Sequence, residues 1–131
     1  MKDEELGTSV QELVHVESLN QINALPLNTE AIFVKGPDDA KIQVLSRLKN
    51  LRRLIQDGNS FISDAGLKTL GRMSSLEELD LEWSDNITDK GLSELCGLRT
   101  LRWLDIGFCG GITAQGVKVL RENLPHCEIV S

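Results

Sequence analysis

Cys96, Cys109, His126 and Cys127 are the residues whose chemistry would be most telling, because thiolates and imidazole together can hold zinc. No pair has C-x-x-C spacing, and the adjacent His126 and Cys127 would point to opposite faces of a strand. Three cysteines are an odd number without framework spacing, so reduced thiols in a cytosolic protein are expected, with structural roles for Cys109 and Cys127. "GFCGG" (107–111) lacks the Lys-Ser/Thr ending of a phosphate loop and reads as a turn. His15 and His126 have no Ser or Cys plus carboxylate that spacing would bring to them. No enzyme activity, metal or cofactor is expected.

With 40% hydrophobic and 26% charged residues, the 131-residue chain has the composition of one globular domain. Aromatics are only 4%, so the core must be aliphatic. A net charge of −6 disfavours nucleic acid, and the four cations of "RLKNLRRL" (47–54) are expected to be solvated. No apolar run reaches membrane-span length, and "MKDEELGTSV" is not a signal peptide. A cytoplasmic monomer is expected. Asn86-Ile87-Thr88 fits a glycosylation sequon, which without a secretion signal is read as accidental.

What the chain does contain is a sentence written three times: "FISDAGLKTL" (61–70), "NITDKGLSEL" (86–95) and "GITAQGVKVL" (111–120). Leu51, Leu76 and Leu101 align at a 25-residue period, as do Leu54, Leu79 and Leu104. Ile62, Ile87 and Ile112 follow, then Gly66, Gly91 and Gly116, then Leu67, Leu92 and Val117, and finally Leu70, Leu95 and Leu120. "LEELDL" (76–81) predicts a short strand with one buried face. Leu92, Leu95 and Leu98 predict a helical stripe. Ser63, Thr88 and Thr113 are expected to cap the helices, with Asp64 and Asp89 placed where negative charge suits the dipole. One strand and one helix cannot bury their apolar faces alone, whereas stacked copies can.

The pattern carried by Leu76, Leu79, Leu81, Ile87, Thr88, Asp89, Gly91, Leu92, Leu95 and Leu98 resembles a leucine-rich repeat. It is most similar to the cysteine-containing, ribonuclease-inhibitor-like class seen in F-box-associated and short bacterial proteins. The resemblance implies an α/β solenoid, a right-handed superhelix with a parallel sheet on the concave face and helices on the convex face. It also implies a turn ladder at Asn59, Ser84 and Cys109. Gln56 falls in the inward column of Leu81 and Ile106, so either it is buried with partners or the strand slips and Ile55 turns in.

The expected organisation is an N-terminal helical cap within 1–28, a degenerate repeat at 29–50, three 25-residue repeats over 51–126 and an edge strand at 127–131. The cap rests on Val10, Leu13, Val14 and Leu19 at helix-like spacing in 8–25. The degenerate repeat would bury Ile32 and Val34 from its strand and Ile42, Leu45 and Leu48 from its helix. Its 28 preceding residues are expected to be too few for an F-box segment.

Strand alternation turns Arg53, Ile55 and Asp57, then Glu78, Asp80 and Glu82, then Trp103, Asp105 and Gly107 to the concave face. Trp83 and Phe108 align at the strand ends. Binding of another protein through Arg53, Asp57, Glu78, Asp80, Glu82, Trp103, Asp105, Trp83 and Phe108 is therefore the leading functional expectation. Trp103 is the expected anchor, and the carboxylates would steer a basic segment. The alternatives are an adaptor that recruits a substrate to a larger assembly, and a metal-binding or enzymatic protein using the Cys109–Cys127 region.

Overall fold

A computed structural model describes residues 13–131 of the chain. Strands β1 (Val14–Val16), β2 (Ala31–Val34), β3 (Arg53–Gln56), β4 (Glu78–Asp80), β5 (Trp103–Asp105) and β6 (Glu128–Val130) form one open parallel sheet in chain order. Between them run helices α1 (Leu19–Asn23), α2 (Asp39–Leu45), α3 (Asp64–Leu70), α4 (Asp89–Leu92) and α5 (Ala114–Asn123). A 3₁₀ turn, Ser93–Leu95, extends α4. Leu54, Leu79, Leu104 and Ile129 sit opposite one another in register and point into the core. Leu67, Leu70, Leu92, Leu95 and Leu120 meet them from the helices, so each turn of chain buries its neighbour's apolar layer.

β3, β4 and β5 are each entered through the same bond pair, and β6 keeps one bond of it. The carbonyls of Glu30, Arg52 and Glu77 each accept two backbone N–H groups from the following turn, and that of Arg102 accepts from Glu128. That repeated contact holds the register while the side chains vary.

The repeated "ITD.GL" has a more specific explanation than helix capping. Asp39, Asp64 and Asp89 each accept from the backbone N–H and the hydroxyl of the next turn's Ser63, Thr88 and Thr113. The aspartate thus staples one helix N-terminus to the next. The glycine column makes room for it: a Cβ on Gly91 would lie 2.0 Å from Asp64 Oδ1, and one on Gly116 would lie 2.1 Å from Asp89 Oδ1. Ser63 and Thr113 also cap their helices, accepting from Ala65 and Gly116. Thr88 does not; it makes only the donor bond, to Asp64 Oδ2 at 2.6 Å.

The expected N-terminal helix does not hold over its described part. Residues 14–16 are a strand paired with β2, and only 19–23 are helical. Leu13 and Val16 are buried while Val14 and Leu19 are exposed, so the apolar spacing serves a strand followed by a short helix. Ser18 and Gln21 form a capping box that starts that helix. Val10 lies outside the described residues. The basic stretch is also less solvated than expected: Arg53 is buried, and Arg47 donates to the carbonyls of Ile22, Asn23 and Leu25 at the C-terminal end of α1. Arg52 does stay at the surface, between Glu30 and Glu77.

Gln56 is buried with partners. Its Nε2 donates to the Glu82 carbonyl at 2.7 Å and to Asp80 Oδ1 at 3.3 Å, and its Oε1 accepts from Gly58 N–H. The turn ladder is shifted by one residue in its first rung. Ser84 Oγ bonds Ser60 Oγ at 2.6 Å, while Asn59 is exposed. Cys109 closes the ladder, its thiol donating to the Leu81 carbonyl.

Candidate functional site

The sheet face turned away from the helices carries the predicted site residues, but it hides most of them. Arg53, Glu78 and Trp103 stand in one row across β3, β4 and β5, with Glu128 beside them on β6. Arg53 Nε donates to Glu78. Trp103 was expected to be exposed and is 3% exposed; Arg53, Glu78, Asp80 and Asp105 are buried as well. On a concave sheet the side chains of neighbouring strands, about 4.8 Å apart, converge instead of fanning out. Large groups in adjacent rows then shield one another. Asp57, Glu82, Trp83 and Phe108 remain accessible.

Asp80 and Asp105 are turn-forming groups. Asp80 Oδ1 accepts from Glu82 N–H at 3.0 Å, and Asp105 Oδ1 accepts from Gly107 N–H at 2.8 Å. Each carboxylate therefore holds the chain as it leaves its strand. Oxygens of Asp80, Glu82 and Asp105 lie within 4.8 Å of one another, a spacing that a hard cation could bridge. Burial, with Asp105 and Glu82 adding to it, pushes the Asp80 carboxyl up to about 6.

These turns deliver the next residue in an unusual conformation. Gly36, Gly58, Trp83 and Phe108 occupy the same position after successive strands, and all four have positive φ, at 53°, 83°, 66° and 57°. Glycine adopts this left-handed backbone freely, whereas a bulky residue does so only under constraint. Backbone bonding supplies the constraint: Trp83 N–H donates to the Gly107 carbonyl at 2.9 Å. The two aromatic rings stack with centroids 4.4 Å apart and planes 9° apart. They do so at the surface, Trp83 50% and Phe108 66% exposed. From the stack an open groove of about 480 Å³ runs to Ser131, past Asp85, Ile112 and Val117. Sequence reasoning missed Asp85, Ile112 and Val117 as groove residues. The visible signal was Trp83 and Phe108 standing in a glycine column.

The cysteine alternative meets a chemical obstacle. Cys96, Cys109 and Cys127 are free thiols, and burial pushes both Cys109 and Cys127 up to about 11. That is the wrong direction for a thiolate nucleophile at neutral pH. His15 stacks on Phe33, and His126 lies in an exposed loop.

Among the described residues no helix is long and apolar enough to cross a membrane. No curated protein matches the chain. A family model for the leucine-rich repeat matches residues 72–96 and 97–120. Such repeats commonly mediate protein–protein interaction, and the family is generally non-catalytic. Two matched copies in tandem, set in a parallel sheet backed by helices, identify residues 72–120 as leucine-rich repeats.

Proposed function

We propose that this chain is a non-catalytic binding module that grips a partner protein at the rim of its sheet, where Trp83 and Phe108 stack beside Asp57, Glu82 and Asp85. The observation that carries this reading is the left-handed backbone of two exposed aromatics. Two earlier turns make the same bend with glycine, at Gly36 and Gly58. The rings are therefore not required for the turn. Holding a bulky residue there costs of order 1–3 kcal/mol, and such strain concentrates where a surface has a task. An exposed aromatic pair rimmed by charge is also the composition of an interface anchor. The carboxylates contribute to the rate and selectivity of encounter, favouring a basic partner.

The test is affinity capture from the source cells, comparing the native chain with the Trp83→Gly, Phe108→Gly double variant. Glycine suits both backbones, so the variant should fold while its surface is erased. A protein captured by the native chain and lost by the variant supports the reading. A set of captured proteins that ignores the substitution removes the binding surface from this rim.

A further inference from the structure

Resting on that reading, we infer that the groove beyond Phe108 is the seat of a partner's arginine, carried in an extended segment with an aliphatic residue close by. The aromatic stack is closed at one end and open at the other. Trp83 Cδ1 lies 3.4 Å from where a Cβ on Gly58 would stand, so the indole packs against the turn before it. Phe108 covers the indole on the following side, and the groove continues from there to Ser131, the residue after β6. The next plane of the stack is open.

Its surroundings select a cation. Asp85 lines the groove with its Oδ1 3.4 Å from Gly110 N, and among the described residues no Lys or Arg lines it. A flat guanidinium can lie over the Phe108 ring while its edge donates to a carboxylate, which a compact ammonium does less well. The groove floor asks for an apolar neighbour. Ile62 and Ile87 are buried, as are Leu67 and Leu92, whereas the matching Ile112 and Val117 of the last repeat are only half-buried.

The same floor would be the dock for a further repeat, but the staple for one is missing. Asp39, Asp64 and Asp89 each hold the next turn's hydroxyl, and the residue in that column here is Ala114. A partner segment recognised through charge and a ring therefore fits better than another turn in register.

The experiment is a backbone-amide NMR titration of the full chain with three probe peptides. They are acetyl-Gly-Arg-Gly-Val-amide and its lysine and citrulline counterparts. The arginine peptide should shift the Trp83 indole N–H and the Gly110 and Ser131 amides. Lysine should bind several-fold more weakly, and citrulline, which keeps the plane and loses the charge, at least tenfold more weakly. Asp85→Asn should weaken the arginine peptide several-fold, and added salt should do the same. Equal binding of citrulline, shifts that persist in Phe108→Gly, or no shifts with arginine would each overturn the arginine assignment. If they do so while capture still depends on the two rings, the binding surface stands and only its ligand is wrong. Capture that ignores the rings defeats the surface itself.

Discussion

Replacing Trp83 and Phe108 by glycine or by alanine separates strain from contact. Both replacements remove the ring stack, worth about 0.5–1.5 kcal/mol beyond area burial. Alanine keeps a Cβ on backbones at φ 66° and 57°. Glycine removes it, relieving roughly 1–2 kcal/mol per site. Against that, glycine gives the unfolded chain more freedom, about 0.4–1 kcal/mol per site. The double glycine variant should therefore be more stable than the double alanine variant by about 1–2 kcal/mol, and within about 1 kcal/mol of the native chain. Urea denaturation followed by circular dichroism measures this, with matching slopes confirming that the same surface unfolds. A thermal midpoint difference of several degrees should accompany it. If the alanine pair equalled or exceeded the glycine pair, the left-handed backbone would not be strained. The two rings would then be ordinary turn residues, with no strain to mark them as held there for binding.

Three further outcomes follow from other parts of the fold. Asp80 should make the protein lose stability as pH rises from about 4 to about 6, because the folded carboxyl keeps its proton to about 6 while the unfolded one releases it near 3.8. The loss is on the order of 3 kcal/mol, and it should vanish in Asp80→Asn, as denaturation at pH 4 and pH 8 would show; parallel profiles for both proteins would contradict it. Gly116→Ala should destabilise the native chain, since the new Cβ would meet Asp89 Oδ1 at 2.1 Å. In an Asp89→Ala background the same change should be neutral or stabilising by up to about 1 kcal/mol, and additive effects in the double-mutant cycle would rule out the staple. Leu95→Ala, at a fully buried position, should cost roughly 2–5 kcal/mol; a neutral result would mean that the 3₁₀ turn does not face the core.

The 25-residue period was legible because burial imposes it. Leu54, Leu79 and Leu104 must face the same core in every turn, so the same residue types recur, and the structure buries all three. The inward helix positions Leu67, Leu70, Leu92 and Leu95 were readable for the same reason. What one chain segment does to another three-dimensionally was not readable. The Asp64 to Thr88 staple spans 24 residues, and from sequence alone each member looks like part of its own helix's N-terminus. Val14–Val16 read as helix because its short apolar spacing suits either period, and pairing with β2 decided for a strand.

The site divides in the same way. Alternation along a strand determines which side a residue points to, so the row Arg53, Glu78, Trp103 was assigned to the correct face. Whether that face is open depends on sheet curvature and on how neighbouring rows pack, which no local pattern encodes. Trp103 is consequently buried while Trp83 and Phe108 stand at the surface. The sequence by itself determined the repeat, the inward residues and the sidedness of the strands, because each is an average demand of burial on residue type. Only the tertiary structure decided which outward residues remain accessible and which turn carries a bulky ring on a left-handed backbone. Those properties arise from contacts between turns about 25 residues apart, where many sequences satisfy the same geometry.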